Sequence, residues 1–105
     1  MLAVNGQLTE KRVEHLGDKV MTAVGFEIVR LSMPRNTMQT PGLPDRRYYH
    51  PTRRLAVWWE AKREGGKQSM VQQDFQAMVE NCGEEYVVGT DDVLVAWLRL
   101  KGLIL

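Results

Sequence analysis

The sequence predicts an α/β fold in which helices flank a small mixed sheet, and three observations carry the prediction. Apolar residues recur at helical spacing in the segments that begin at Thr9, Ser69 and Thr90. Short runs rich in β-branched and aromatic residues, "FEIVRL", "LAVWWEAK" and "EEYVVG", lie between them. Glycine and proline punctuate the junctions. Elements alternating in this way pack as layers around a shared core.

Thr9 to Val24 reads as the first helix. Val13, Leu16, Val20 and Val24 share a stripe that Met21 widens. Thr9 can cap its start, and Gly25 can take the left-handed turn at its end. Phe26 to Leu31 then reads as a strand. "SMPRNTMQTPGLP" is a loop, broken by Pro34, Pro41, Gly42 and Pro44. "DRRYYH" is a short strand closed by Pro51. Leu55 to Lys62 is the strongest strand. Leu55, Val57, Trp59 and Ala61 line one apolar face, and Ala56, Trp58, Glu60 and Lys62 line the other. Both faces begin apolar, as in a central strand of a covered sheet. Its charges gather at the C-terminal end, where open α/β sheets place ligand sites.

"REGGKQ" is a turn, after which Ser69 caps a helix running to about Asn81. Its expected apolar stripe is Val71, Phe75, Met78, Val79 and Cys82, with Gly83 as terminator. "EEYVVG" is the last strand. Thr90, Asp91 and Asp92 suit the positive end of a final helix, with Val93, Leu94, Trp97 and Leu98 as its buried side. The order is α-β-β-β-α-β-α.

Composition bounds the reading. A length of 105 residues fits one domain, spanning 1–105, and the 44% hydrophobic content suits a globular core. The net charge of +1 is uninformative, but its distribution is not. Arg46, Arg47, Arg53, Arg54, Lys62, Arg63 and Lys67 lie within one segment, opposed only by Glu60 and Glu64. Such a cluster either attracts phosphate or simply solvates a surface. Cys82 is the single cysteine, which excludes an internal disulfide and a cysteine-rich zinc site. It is expected as a small apolar core residue. His15 and His50 read as surface residues. The apolar C-terminus, with Trp97, Leu98, Leu100, Leu103, Ile104 and Leu105, closes the core or lines a dimer seam. No apolar run approaches a membrane span and no signal-peptide pattern is present, so an intracellular location is expected.

The chemistry concentrates in Asp45, Glu60 and Lys62. Asp45 begins one strand, and Glu60 and Lys62 share a face of the next. If the two strands pair, as neighbours in sequence usually do, the carboxylates can converge. Carboxylates held close repel unless a cation lies between them. Mg²⁺ prefers oxygen and is typically held by one or two protein carboxylates. A plain Glu60–Lys62 ion pair at a strand end is the competing reading. Gly42-Leu43-Pro44-Asp45 imposes an unusual backbone just before the acid, which matters only if the acid must be aimed. Gln72 stands beside the apolar stripe of its helix, where it can meet a phosphate oxygen or a water. Gln73 and Gln76 read as a solvated helix face.

The ordered set "GLPD", "WWEAK", "SMVQQDF" and "GEEYVVG" resembles the VRR-NUC family, a branch of the PD-(D/E)xK nuclease superfamily. That family's pattern is Gly-x-Pro-Asp, a Glu-x-Lys on the following strand, a Ser-x-x-Gln opening the next helix, and a Gly before the last core strand. The match runs from about Val13 to Gly89. The resemblance implies a restriction-endonuclease-like α-β-β-β-α-β core. It implies that Asp45 and Glu60 bind Mg²⁺ or Mn²⁺, that the backbone carbonyl of Ala61 joins them, that Lys62 is catalytic and that Gln72 lies in the site. It also implies an acid on the first helix. Glu10 and Glu14 are both candidates, and Glu14 is preferred because archaeal Holliday-junction resolvases place this acid at a similar distance before the helix-ending Gly. Two departures from the pattern, tryptophans before Glu60 and a distinctive loop from Met33 to Thr40, remove no catalytic group.

Short members of this kind resemble phage or prophage enzymes acting in a bacterial cytoplasm. They are similar to dimeric Holliday-junction resolvases with one site per subunit. The expectation is therefore a metal-dependent, structure-selective DNA endonuclease, working as a homodimer on branched DNA, with Arg46, Arg47, Arg53, Arg54, Arg63 and Lys67 on the nucleic acid. The rival is a non-catalytic DNA-binding or phage–host interaction module on the same frame. Its binding would be salt-sensitive but indifferent to loss of Glu60 or Lys62.

Overall fold

The computed structural model describes residues 8–31 and 40–105. The elements are α1 (Glu10–Val24), β1 (Glu27–Arg30), β2 (Arg46–His50), β3 (Leu55–Ala61), α2 (Met70–Asn81), β4 (Tyr86–Gly89) and α3 (Asp91–Leu100). This is the expected order. Of the expected loop before Asp45, 32–39 lie outside the described residues.

The strands form one four-stranded sheet in the order β1-β2-β3-β4. The first two pairings are antiparallel, and β3–β4 is parallel. A parallel pair needs a long crossover, and α2 supplies it. The sheet is therefore mixed, with β3 inside it as its two apolar faces require.

One face of β3 builds the main core. Val57, Trp59 and Ala61 are fully buried beside Tyr48 of β2, beneath Val13 and Met21 of α1 and Leu94 and Leu98 of α3. The fit is tight at Gly17, where an added Cβ would stand 2.3 Å from the Trp59 ring. The α1 helix therefore rests directly on the indole. Its ends obey the sequence signals: Thr9 accepts from the Arg12 N–H at 3.1 Å, and Gly25 terminates it at φ 109°.

The other face of β3 meets α2 through Phe75, which packs edge-on to Trp58 with centroids 5.4 Å apart. Here the expected stripe needs correction. Val79 is buried, but Val71 is 50% exposed, Met78 is 54% exposed, and Cys82 is exposed at the helix C-terminus rather than in the core. The helix packs against β4 and the edge of β3, so only the Phe75–Val79 side of the stripe reaches the sheet.

Smaller corrections follow the same logic. Thr90 precedes α3 but its side chain makes no capping bond, and Val93 is 40% exposed. His50 is half-buried rather than freely exposed: Nε2 lies 3.0 Å from the Val24 carbonyl and the ring packs edge-on to Phe26. At the C-terminus Leu103 and Ile104 pack onto the core, whereas Leu100 and Leu105 are exposed. Among the described residues no helix is long and apolar enough to cross a membrane.

Candidate active site

The pairing of β2 with β3 places the first acid. Arg46 stands opposite Trp59 and Arg47 opposite Trp58. The Asp45 N–H donates to the Trp59 carbonyl at 3.1 Å, so Asp45 and Arg46 both oppose Trp59, as in a β-bulge, and the Asp45 carboxylate lies with the α1 acids rather than with Glu60. Gly42 prepares the approach. It adopts φ 81°, and a Cβ there would lie 2.3 Å from the Val71 carbonyl of α2. Only glycine allows the loop to pass so close to the helix that carries Gln72.

Asp45 lies where strand and helix acids meet. Its Oδ2 accepts from the Ala61 N–H at 2.8 Å. Carboxylate oxygens of Glu10, Glu14 and Asp45 all lie within 4.8 Å of one another. Burial raises the Asp45 carboxyl, the Ala61 N–H opposes this, Glu14 and Glu10 raise it further and Arg46 lowers it. The result is a shift from the ordinary 3.8 to about 6.

The sign of the consequence is definite. Between pH 3.8 and about 6 the folded chain holds the Asp45 proton that the unfolded chain has released. Stability contributed by Asp45 is therefore complete at the acid end of that window and is lost as pH rises through it. A cation competes with the same proton. Mn²⁺ affinity should fall roughly tenfold per pH unit below about 6, as the ion displaces one proton. Calorimetric titration at several pH values measures it.

Glu60 is wholly buried. Its Oε1 accepts from Tyr86 Oη at 2.9 Å and Gln68 Nε2 at 3.1 Å. Its Oε2 pairs with Lys62 Nζ at 3.2 Å but has no aligned hydrogen bond. Lys62 Nζ also donates to Gln72 Oε1 at 3.1 Å. That same oxygen accepts from the Ser69 N–H at 2.8 Å, while the Gln72 N–H donates to Ser69 Oγ at 3.3 Å. The capping box of α2 thus fixes Gln72, and Gln72 fixes Lys62. A cleft of about 410 Å³ opens beside Lys62, between Arg63, Gly65 and Gly66 on one side and Gly89 and Thr90 on the other.

The structure therefore joins Glu60, Lys62 and Gln72 through contacts, and Asp45, Glu14 and Glu10 through proximity. Two partners of Glu60 escaped the sequence reading. Gln68 sits in a segment that reads as turn, and Tyr86 in one that reads as core strand; neither carries a local signal of its role. Gln76 also differs from a solvated residue, since its Oε1 accepts from Gln68 Nε2 at 2.9 Å. A hydrogen bond to a buried carboxylate is worth more than a neutral one. Tyr86→Phe should therefore cost about 1–2 kcal/mol in urea unfolding. Burial and the bond to Glu60 also hold the Tyr86 hydroxyl well above the ordinary tyrosine range.

The basic residues separate into distinct groups. Arg46, expected on nucleic acid, is only 5% exposed and bonded to Asp18, so it faces the interior. The cause is the register: Arg46 shares the α1 face with Trp59. Arg47 stacks over Trp58 at 4.5 Å and over Tyr49 at 5.2 Å. Arg53 and Arg54 are exposed in the turn between β2 and β3, about 15–20 Å of strand from Glu60. Arg63 and Lys67 are exposed and follow Lys62 directly.

Three carboxylates with hard oxygen donors, one of them pushed towards neutrality by burial and then by the other two, fit a divalent cation.

No family model matches the sequence, and no curated protein does. A solved structure described as a VRR_NUC domain matches with a TM-score of 0.67 at 25% identity, over 86% of this chain and 92% of that one. The chain accordingly has the VRR_NUC fold, with its restriction-endonuclease-like core.

Proposed function

We propose that the protein is a nuclease, and more narrowly a Mg²⁺- or Mn²⁺-dependent DNA endonuclease that hydrolyses phosphodiester bonds. The observation that carries this is the cluster of Asp45, Glu14 and Glu10 at the mouth of a sheet whose next strand presents Glu60 and Lys62. The VRR_NUC likeness supports it.

Asp45, Glu60, Glu14 and the Ala61 carbonyl would hold the ion, with Glu10 as a further oxygen donor. When bound, such an ion acidifies a water and offsets charge developing on the phosphate. The chain's own residues supply the rest. Lys62 presents a fixed ammonium to a phosphate oxygen in the adjoining cleft. Gln72 keeps that ammonium in place, and Tyr86 and Gln68 keep Glu60 from rotating. Arg63 borders the cleft and, with the exposed Lys67 beyond it, would engage the flanking phosphates. Arg53 and Arg54, at the far end of β3, would meet a more distant part of the duplex.

We extend the reading to branched DNA and a homodimer. A two-fold pair of such sites can nick opposed strands of a four-way junction. The exposed Val71 and Met78 of α2 supply apolar surface for a second copy. Labelled four-way junctions, flaps and linear duplexes incubated with Mg²⁺, alongside an Asp45→Ala variant, test the proposal. Cleavage by the wild type that is lost in the variant supports it. Equal cleavage by both, or none by the wild type on any substrate, overturns it. Preference for junctions over the other substrates supports the narrower reading.

A further inference from the structure

We propose that Arg46 is a positioning residue for the carboxylate cluster: its guanidinium, anchored by Asp18 and Tyr48, sets where Glu14 and Asp45 stand and so sets the cluster's affinity for a divalent cation. This rests on reading Glu14 and Asp45 as cation ligands.

Every edge of the guanidinium is used. Nε donates to Asp18 Oδ1 at 2.9 Å and Nη2 to Asp18 Oδ2 at 3.1 Å, a bidentate pair. Nη2 also stands 3.2 Å from Glu14 Oε1. Nη1 donates to the Asp45 backbone carbonyl at 3.0 Å. Glu14 and Asp18 are one turn apart on α1 and so face the same way. A single planar group therefore ties the helix that carries one acid to the start of the strand that carries the other. Asp45 is held at both ends, its carbonyl by Arg46 and its carboxylate by the Ala61 N–H.

The anchor is itself braced. Tyr48, wholly buried, donates to Asp18 Oδ1 at 2.7 Å, and Arg30 lies 3.6 Å from Asp18 Oδ2. Asp18 is 8% exposed. Burying such a pair brings little stability over an apolar replacement of the same size, because both charges must be desolvated. What the pair supplies instead is direction. A rigid fork fixes three acceptors in one plane, which a lysine cannot do. Ligand-orienting groups of this kind typically change metal affinity by 10–100-fold. The guanidinium also lowers the repulsion among the three acids before an ion arrives, so that the cluster persists in its binding geometry.

The test replaces the pair together, Arg46→Met with Asp18→Asn, so that no lone buried charge remains. Mn²⁺ binding is followed by the paramagnetic resonance of the free ion, and folding by near-ultraviolet circular dichroism. The folded paired variant should bind Mn²⁺ about 10–100-fold more weakly than wild type. On a Glu14→Gln background the same replacement should cost much less, because Arg46 acts partly through Glu14. Unchanged affinity, or an equal cost on both backgrounds, overturns the positioning role and leaves the cation site standing. Failure of the wild type to bind Mn²⁺ overturns both. If the paired variant loses its aromatic dichroism, Tyr48→Phe decides, since it removes only the hydroxyl that braces Asp18. A several-fold fall in affinity then supports the role, and unchanged affinity overturns it.

Discussion

Asp45→Asn should lose activity and gain stability. The several kcal/mol that a bound metal supplies to a developing charge corresponds to a fall on the order of 10³-fold in cleavage rate when a ligand is neutralised. The amide keeps an oxygen for the Ala61 N–H, which now donates to Asp45 Oδ2 at 2.8 Å. What disappears is a charge held against burial and against Glu14 and Glu10, the causes that push its carboxyl to about 6. At neutral pH that charge costs the fold. Its removal should raise stability by about 1 kcal/mol, or Tm by about 4–8 °C in a domain of this size. The paired outcome separates a functional acid from a structural one, because a structural acid would lose stability when neutralised. Cleavage kinetics and thermal unfolding of one protein preparation measure both halves.

Gly17→Ala should destabilise the fold although it installs a better helix former. Helix propensity alone favours alanine over glycine by about 1 kcal/mol in a helix interior. Packing opposes it more strongly. The new Cβ would stand 2.3 and 2.4 Å from two Trp59 ring atoms and 3.0 Å from Leu94. Trp59 cannot yield cheaply, since it is fully buried, stacked on Tyr48 at 6.0 Å and bonded to the Gly89 carbonyl at 3.2 Å. Overpacking of this kind costs about 1–3 kcal/mol and sometimes more. The net expectation is a loss of about 2 kcal/mol, lowering Tm by roughly 8–16 °C. A Tm equal to or above wild type would mean that α1 does not rest on the indole.

The parts of the fold that follow from local pattern were legible in the sequence. Alternation in "LAVWWEAK" gave a strand buried on both faces, and β3 is that strand. Thr9, Gly25 and Ser69 marked helix ends because caps are local chemistry. Asp45, Glu60, Lys62 and Gln72 were readable as an ordered set, and the chain folds them towards one end of the sheet.

What was hidden depends on contacts distant in sequence. Arg46 sits in a basic run and reads as surface; its partner Asp18 lies 28 residues earlier. Gln68 and Tyr86 serve Glu60 only because the turn and β4 come to rest beside it. The α2 stripe predicted burial that the sheet's width does not supply, leaving Cys82 exposed. Glu10 and Glu14 could not be separated by spacing, and both stand near Asp45.

Anomalous scattering from crystals grown with Mn²⁺ tests the central claim most directly. The account predicts a peak within coordinating distance of Asp45, shared with Glu14 and the Glu60 side of β3, that vanishes in Asp45→Asn. A peak elsewhere on the molecule, or none where Asp45 and the α1 acids converge, would contradict it.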